Sequence, residues 1–104
     1  LIMKRIDRLA LVGHTLQDEK SVRLLEYLLS NKDGVNYARM ERYLAHKTRG
    51  VMNYHLRKLI KANMVMVDTE YIKRLDTYVN FYKATDYGKE MYNKLLEVDK
   101  RYYR

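Results

Sequence analysis

The hydrophobic pattern changes period at Asn63, and that change limits the chain to a mixed, mostly helical α+β fold. Before it, Met52, Leu56 and Leu59, extended by Ala62, recur at three- and four-residue intervals, the spacing of one helical face. After it, Met64-Val65-Met66-Val67 and Tyr78-Val79-Asn80-Phe81-Tyr82 are β-branched and aromatic runs that suit strands. A polar stretch with Lys73, Arg74 and Asp76 separates the runs, so they form a two-stranded hairpin with its loop near residues 71–76. Thr85-Asp86 then caps a last helix through about Tyr103. Met91, Leu95, Val98 and Tyr102 make one stripe of that helix, widened by Tyr92, Leu96 and Tyr103.

Helical spacing also dominates upstream. Ile2, Ile6, Leu9 and Val12 predict a short helix over residues 2–12, ended by Gly13-His14-Thr15. A second helix over 18–31 carries Val22, Leu25, Leu28 and Leu29 on one face, with Leu24 beside it. Asn31-Lys32-Asp33-Gly34 closes it with turn residues. Asn36 is placed to cap a short helix through about Ala45, because its side-chain oxygen can accept a free backbone N–H. His46-Lys47-Thr48 makes a tight connection, with Thr48 capping the helix over 49–62. Asn63 ends that helix, since Asn tolerates the left-handed conformation. At 104 residues the chain suits one domain, residues 1–104. Its parts are an N-terminal helix (1–13), a core (18–85) and a C-terminal helix (86–104).

The chain contains no cysteine, which removes disulfides, thiolate metal sites and cysteine nucleophiles together. His14, His46 and His55 are scattered, without the i, i+4 pair and further acid of a helical metal site. His55 lies beside the apolar stripe and reads as a packed, hydrogen-bonded residue. No nucleophile elbow, phosphate loop or paired-carboxylate motif occurs, so no enzyme, metal or cofactor is expected. No apolar run is long enough to span a bilayer, and residues 1–13 are too polar for a signal-peptide core. The expected setting is cytoplasmic.

The net charge of +8 biases the chain toward polyanions. Residues 37–63 hold Arg39, Arg42, Lys47, Arg49, Arg57, Lys58 and Lys61 against Glu41 alone, so six of the eight net charges lie there. No acid falls between Lys47 and Lys61. Opposite the Met52, Leu56, Leu59 stripe, Arg49, Asn53 and Arg57 form one row and Gly50, Tyr54 and Lys58 another. Arg can bond guanine or clamp a phosphate with two parallel hydrogen bonds, and Asn can pair similarly with adenine. Tyr can meet a thymine methyl or a phosphate, and Gly50 lets a backbone come close.

The order of a helix, a helix-turn-helix, a hairpin and a helix resembles the winged helix-turn-helix domains of bacterial and archaeal transcription regulators. The likeness is strongest at VMNYHLRKLIKANMV. That segment is similar to the Ser/Asn-x-His-Leu-x-x-Leu stretch of ArsR-like families, which runs into a Gly-Leu-Val strand start. Asn53, His55, Leu56, Leu59, Met64 and Val65 fill those places, with Asn63 where Gly is usual. YKATDYGKEMYNKLL resembles the Tyr-x-Leu-Thr-x-x-Gly at the end of the wing, matched by Tyr82, Thr85 and Gly88, with Ala84 for Leu. The resemblance covers roughly residues 20–98.

The resemblance implies a homodimeric regulator that reads double-stranded DNA, with terminal helices joining the copies. The expected base-reading set is Thr48, Arg49, Gly50, Asn53, Tyr54 and Arg57. Lys47, Lys58, Lys61, Arg39 and Arg42 are expected at the DNA backbone, Lys73 and Arg74 from the wing. Met91, Leu95, Val98 and Tyr102 are the dimerisation candidates. The absence of a ligand set departs from the metal-sensing ArsR members. Two other functions suit the same motif: an architectural, weakly specific DNA binder, and a winged helix that binds protein. Neither the operator nor any small-molecule effector can be read from these residues.

Overall fold

The computed structural model describes residues 4–44 and 49–102; for Arg8, Arg49, Gly50 and Tyr102 it describes the backbone alone. The elements run α1 (Arg5–Leu16), α2 (Glu19–Leu29), α3 (Tyr37–Leu44), α4 (Arg49–Lys61), β1 (Val65–Ile72), a 3₁₀ turn (Lys73–Leu75), β2 (Thr77–Ala84) and α5 (Asp86–Tyr102). The change of period at Asn63 is thus the boundary between α4 and the hairpin.

α1 corrects one expectation: it does not stop at Gly13-His14-Thr15 but continues to Leu16. Glycine in a helix interior costs about 1 kcal/mol relative to alanine. Packing outweighs that penalty here. Val12 and Thr15 are buried one turn apart, and Leu16 packs partly against the core. The Thr15 hydroxyl donates to the Leu11 carbonyl at 2.7 Å, so its burial leaves no polar atom unsatisfied.

α2 is the central helix and packs against α1, α4, α5 and β2. Asp18 caps it, accepting from the Lys20 amide at 3.1 Å. Its innermost residues are Ser21, Leu24, Leu25 and Leu28. Leu24, expected beside the stripe, therefore lies within it. The turn after α2 closes with the Gly34 amide donating to Asn31 at 3.0 Å, and Gly34 takes a φ of 97° that favours glycine. Val35 then exchanges two backbone bonds with Tyr82, 3.0 and 2.8 Å, fastening the α2–α3 connection to the hairpin. Asn36 caps α3 as expected, accepting from the Arg39 amide at 2.9 Å.

α4 buries Met52, Leu56, Leu59 and Ala62, the expected stripe. Asn63 adopts a φ of 62°, and the Met64 amide reaches back to Leu59 at 2.9 Å, completing a left-handed helix end. β1 and β2 pair antiparallel from Val65↔Ala84 to Ile72↔Thr77. The Thr85 hydroxyl donates to the Asn63 carbonyl at 2.7 Å and accepts from the Gly88 amide at 2.9 Å. The Thr85 amide donates to the Met64 carbonyl at 2.9 Å. One threonine thus caps α5 and ties it to the end of α4. Gly88 sits against the same junction: a Cβ there would lie 2.3 Å from the Met64 carbonyl oxygen. The Thr-x-x-Gly pattern is the mark of that close approach.

Candidate nucleic-acid interface

The outer side of α4 exposes Tyr54, Arg57 and Lys61, with Asn53 half-buried at its edge. These positions are held by what lies beneath them. His55 and Lys58 leave the helix toward the N-terminus of α2, and both are buried. Asp18 meets them there, with one carboxylate oxygen 3.0 Å from His55 Nδ1 and 3.0 Å from Lys58 Nζ. The Ser21 hydroxyl lies 3.1 Å from the same His55 nitrogen. Burial by itself would push Asp18 up. The Lys58 hydrogen bond, the charges of His55 and Lys58 and the Lys20 amide outweigh it, holding the carboxyl below the usual aspartate range. Ionic and neutral hydrogen bonds therefore join α4 to α2, and they set how far α4 is rotated about its own axis.

Lys58, expected at the DNA backbone, lies on the inner flank of α4 in the chain alone. Its side chain is only 10% exposed, its ammonium is bonded to Asp18, and it lies 5.2 Å from the centre of the Tyr54 ring. In the chain alone that ammonium is turned toward Asp18. Lys58 follows His55 by three residues and shares its side of the helix, which faces α2 and not solvent. It lies beneath the Tyr54 ring and beside Asp18.

The other expected residues fall as follows. Lys47 and Thr48, with His46, lie outside the described residues, and Arg49 and Gly50 are described by their backbone alone. Arg39 and Arg42 are exposed on α3; Arg39 also donates to the Asn31 side chain at 3.3 Å. Lys73 and Arg74 are exposed in the 3₁₀ turn at the far end of the hairpin. The stripe expected to form the dimer is divided. Met91 packs against the chain's own core, and Leu95 shares a shallow groove with Leu16 and Val22. Val98 is 48% exposed, and the Tyr102 side chain is not described. Larger exposed apolar residues lie elsewhere on the terminal helices: Ile6 (78%) and Leu9 (60%) on α1 and Leu96 (40%) on α5.

Asp18 and Ser21 were missing from the sequence reading of the site. Asp18 carries a local signal as the cap of α2, but its partner Lys58 is 40 residues away. No periodicity reports that meeting. Among the described residues no group of His, Asp or Glu is placed to hold a metal ion, and no helix is long and apolar enough to cross a membrane.

No protein-family model and no curated protein matches the chain. Among solved structures, a crystal structure of MarR is similar to it, with a TM-score of 0.70 at 18% sequence identity. The match covers 86% of this chain and 62% of the MarR chain, so this chain spans less than two thirds of MarR's length. The fold is a winged helix: α3 and α4 form the helix-turn-helix, β1 and β2 the wing, and α1 and α5 are added at the ends.

Proposed function

We propose that this winged-helix chain is a sequence-specific, duplex DNA-binding regulator of transcription that works in the cytoplasm as a homodimer. The observation that carries the proposal is the outer face of α4. It presents Tyr54, Arg57 and Lys61 beside Asn53, contains no acid, and is seated on a partly buried ion-paired clamp. A rigid seat suits a helix whose side chains must meet base edges in register. Thr48, Arg49 and Gly50 belong to the same base-reading set, and Lys47 meets the DNA backbone. Arg39, Arg42, Lys73 and Arg74 add cations on the elements before and after. Regulation follows from occupying or recruiting at a promoter, without catalysis.

The dimer is supported by Ile6 and Leu9 on α1 and Leu96 and Val98 on α5, apolar residues exposed on the two terminal helices. Two copies joined there would present α4 to successive major grooves about 34 Å apart. The net charge of +8 also favours a second reading, an architectural binder with weak specificity. Selecting bound duplexes from a random pool tests both. A palindromic consensus supports the regulator, and no enrichment supports the architectural binder. Failure to bind any duplex at about 50 mM salt would sink both in favour of a protein-binding winged helix.

A further inference from the structure

The tip of the wing carries more construction than a solvated turn requires. Between Met66 and Tyr78 no residue is buried, so the far part of the hairpin stands clear of the core. Strands of this length reach roughly 25 Å at about 3.3 Å per residue. At the end, the Lys73–Leu75 turn is closed by Asp76, whose amide donates to the Lys73 carbonyl at 3.1 Å and whose φ is 49°. The Tyr71 hydroxyl donates to the Asp76 carboxylate. The Tyr71 and Tyr78 rings meet edge to face at 5.2 Å. Two aromatic rings and a hydrogen bond thus brace one turn far from any core. What the brace holds outward is Leu75, 56% exposed, with Lys73 and Arg74 exposed beside it.

Leu75 is more than half exposed at that apex and lies outside the hydrophobic core of the described residues. Two adjacent cations point to a polyanion, and the nearby acid, Asp76, is engaged by Tyr71. We infer that Leu75 is a wedge that enters the minor groove and parts a base step of duplex DNA, while Lys73 and Arg74 hold the flanking phosphates, so that binding bends the duplex. The inference rests on the DNA-binding reading of α4 and deepens it. Apolar side chains inserted between base pairs replace part of the lost stacking and kink the helix. Pyrimidine–purine steps part most readily, so the wing would prefer such a step at a set distance from the bases under α4. It would thereby select sequence without a hydrogen bond to any base.

The test uses duplexes of about 30 base pairs, labelled with a fluorescent donor and acceptor at their ends, with and without a central TA step. Binding is followed by anisotropy and bending by energy transfer. The whole chain is expected to bind and bend, more strongly with the TA step. Leu75→Ala should weaken binding on the order of tenfold, from the loss of one buried leucine side chain. It should also abolish the bend and the TA preference. Leu75 lies outside the core, so the variant should keep its thermal stability. Lys73→Ala with Arg74→Ala should lower the slope of affinity against salt by about two. A Leu75→Ala variant that binds and bends like the parent overturns the wedge and leaves the α4 reading standing. A variant with unchanged bending but altered self-association in sedimentation makes the tip a protein contact and also overturns it. No duplex binding by the parent chain removes the wedge and the underlying reading together.

Discussion

One methyl group placed at Gly88 tests whether the junction of α4, wing and α5 is as tight as its geometry states. By helix propensity alone, Gly88→Ala in α5 should stabilise the chain by about 1 kcal/mol. The structure predicts the opposite. The new Cβ would lie 2.3 Å from the Met64 carbonyl oxygen and 3.1 Å from the Met64 carbonyl carbon and Cα. A carbon and a carbonyl oxygen normally approach no closer than about 3.3 Å, so α5 must retreat by roughly 1 Å. Met64 cannot easily yield. It is fully buried, its amide is bonded to Leu59 at 2.9 Å and its carbonyl accepts the Thr85 amide at 2.9 Å. Overpacking costs about 1–3 kcal/mol, and weakening the Thr85 bond adds about 1 kcal/mol. Against the propensity gain, the net loss is about 2 kcal/mol, which lowers Tm by roughly 8–16 °C for a chain of this size. Gly13→Ala supplies the comparison: its Cβ meets nothing within 4 Å. It should gain about 0.5–1 kcal/mol. Thermal and urea unfolding by far-UV circular dichroism, at one protein concentration, measures both. A Gly88→Ala variant as stable as the parent would refute the close-approach argument.

Asp18→Asn keeps the cap of α2 but removes the charge facing His55 and Lys58, and should cost about 2 kcal/mol near pH 7. Asp18 is held below its ordinary value of 3.8, so the stability it supplies is present above that value and is lost as pH falls through the lower, folded one. Urea unfolding from neutral pH into that acid range should therefore fall less steeply for the variant, and parallel curves would count against the clamp. Arg57→Ala should weaken duplex binding by about 10- to 100-fold without changing Tm, whereas Lys58→Ala should lower Tm. Lys61→Ala should reduce the salt slope of binding by about one, while a similar drop for Lys58→Ala would show that its ammonium does reach phosphate. Ile6→Glu with Leu96→Glu should leave the fold intact, since both side chains are exposed, and convert dimer to monomer in sedimentation. A dimer of unchanged mass would move the proposed interface elsewhere, and a monomeric parent would remove it.

The winged-helix order was legible because it is written in local patterns. The Met52, Leu56, Leu59 spacing, the caps at Asn36 and Thr85, the left-handed Asn63 and the β-branched run after it each act within a few residues. On α4 the same spacing put Tyr54 and Arg57 on the exposed side, since a helix places residues by their spacing. What the spacing could not say is which flank of that side faces solvent and which faces another helix. Lys58 looked like one more cation of the outer face until α2 brought Asp18 to it. Packing also carried α1 through Gly13 and set Met91 against the chain's own core. Burial of a charge, extension of a helix past a weak residue and the closeness of Gly88 to Met64 all depend on neighbours distant in the chain. Local propensity differs between alternatives by about 1 kcal/mol or less per residue, and tertiary contacts of a few kcal/mol decide the outcome.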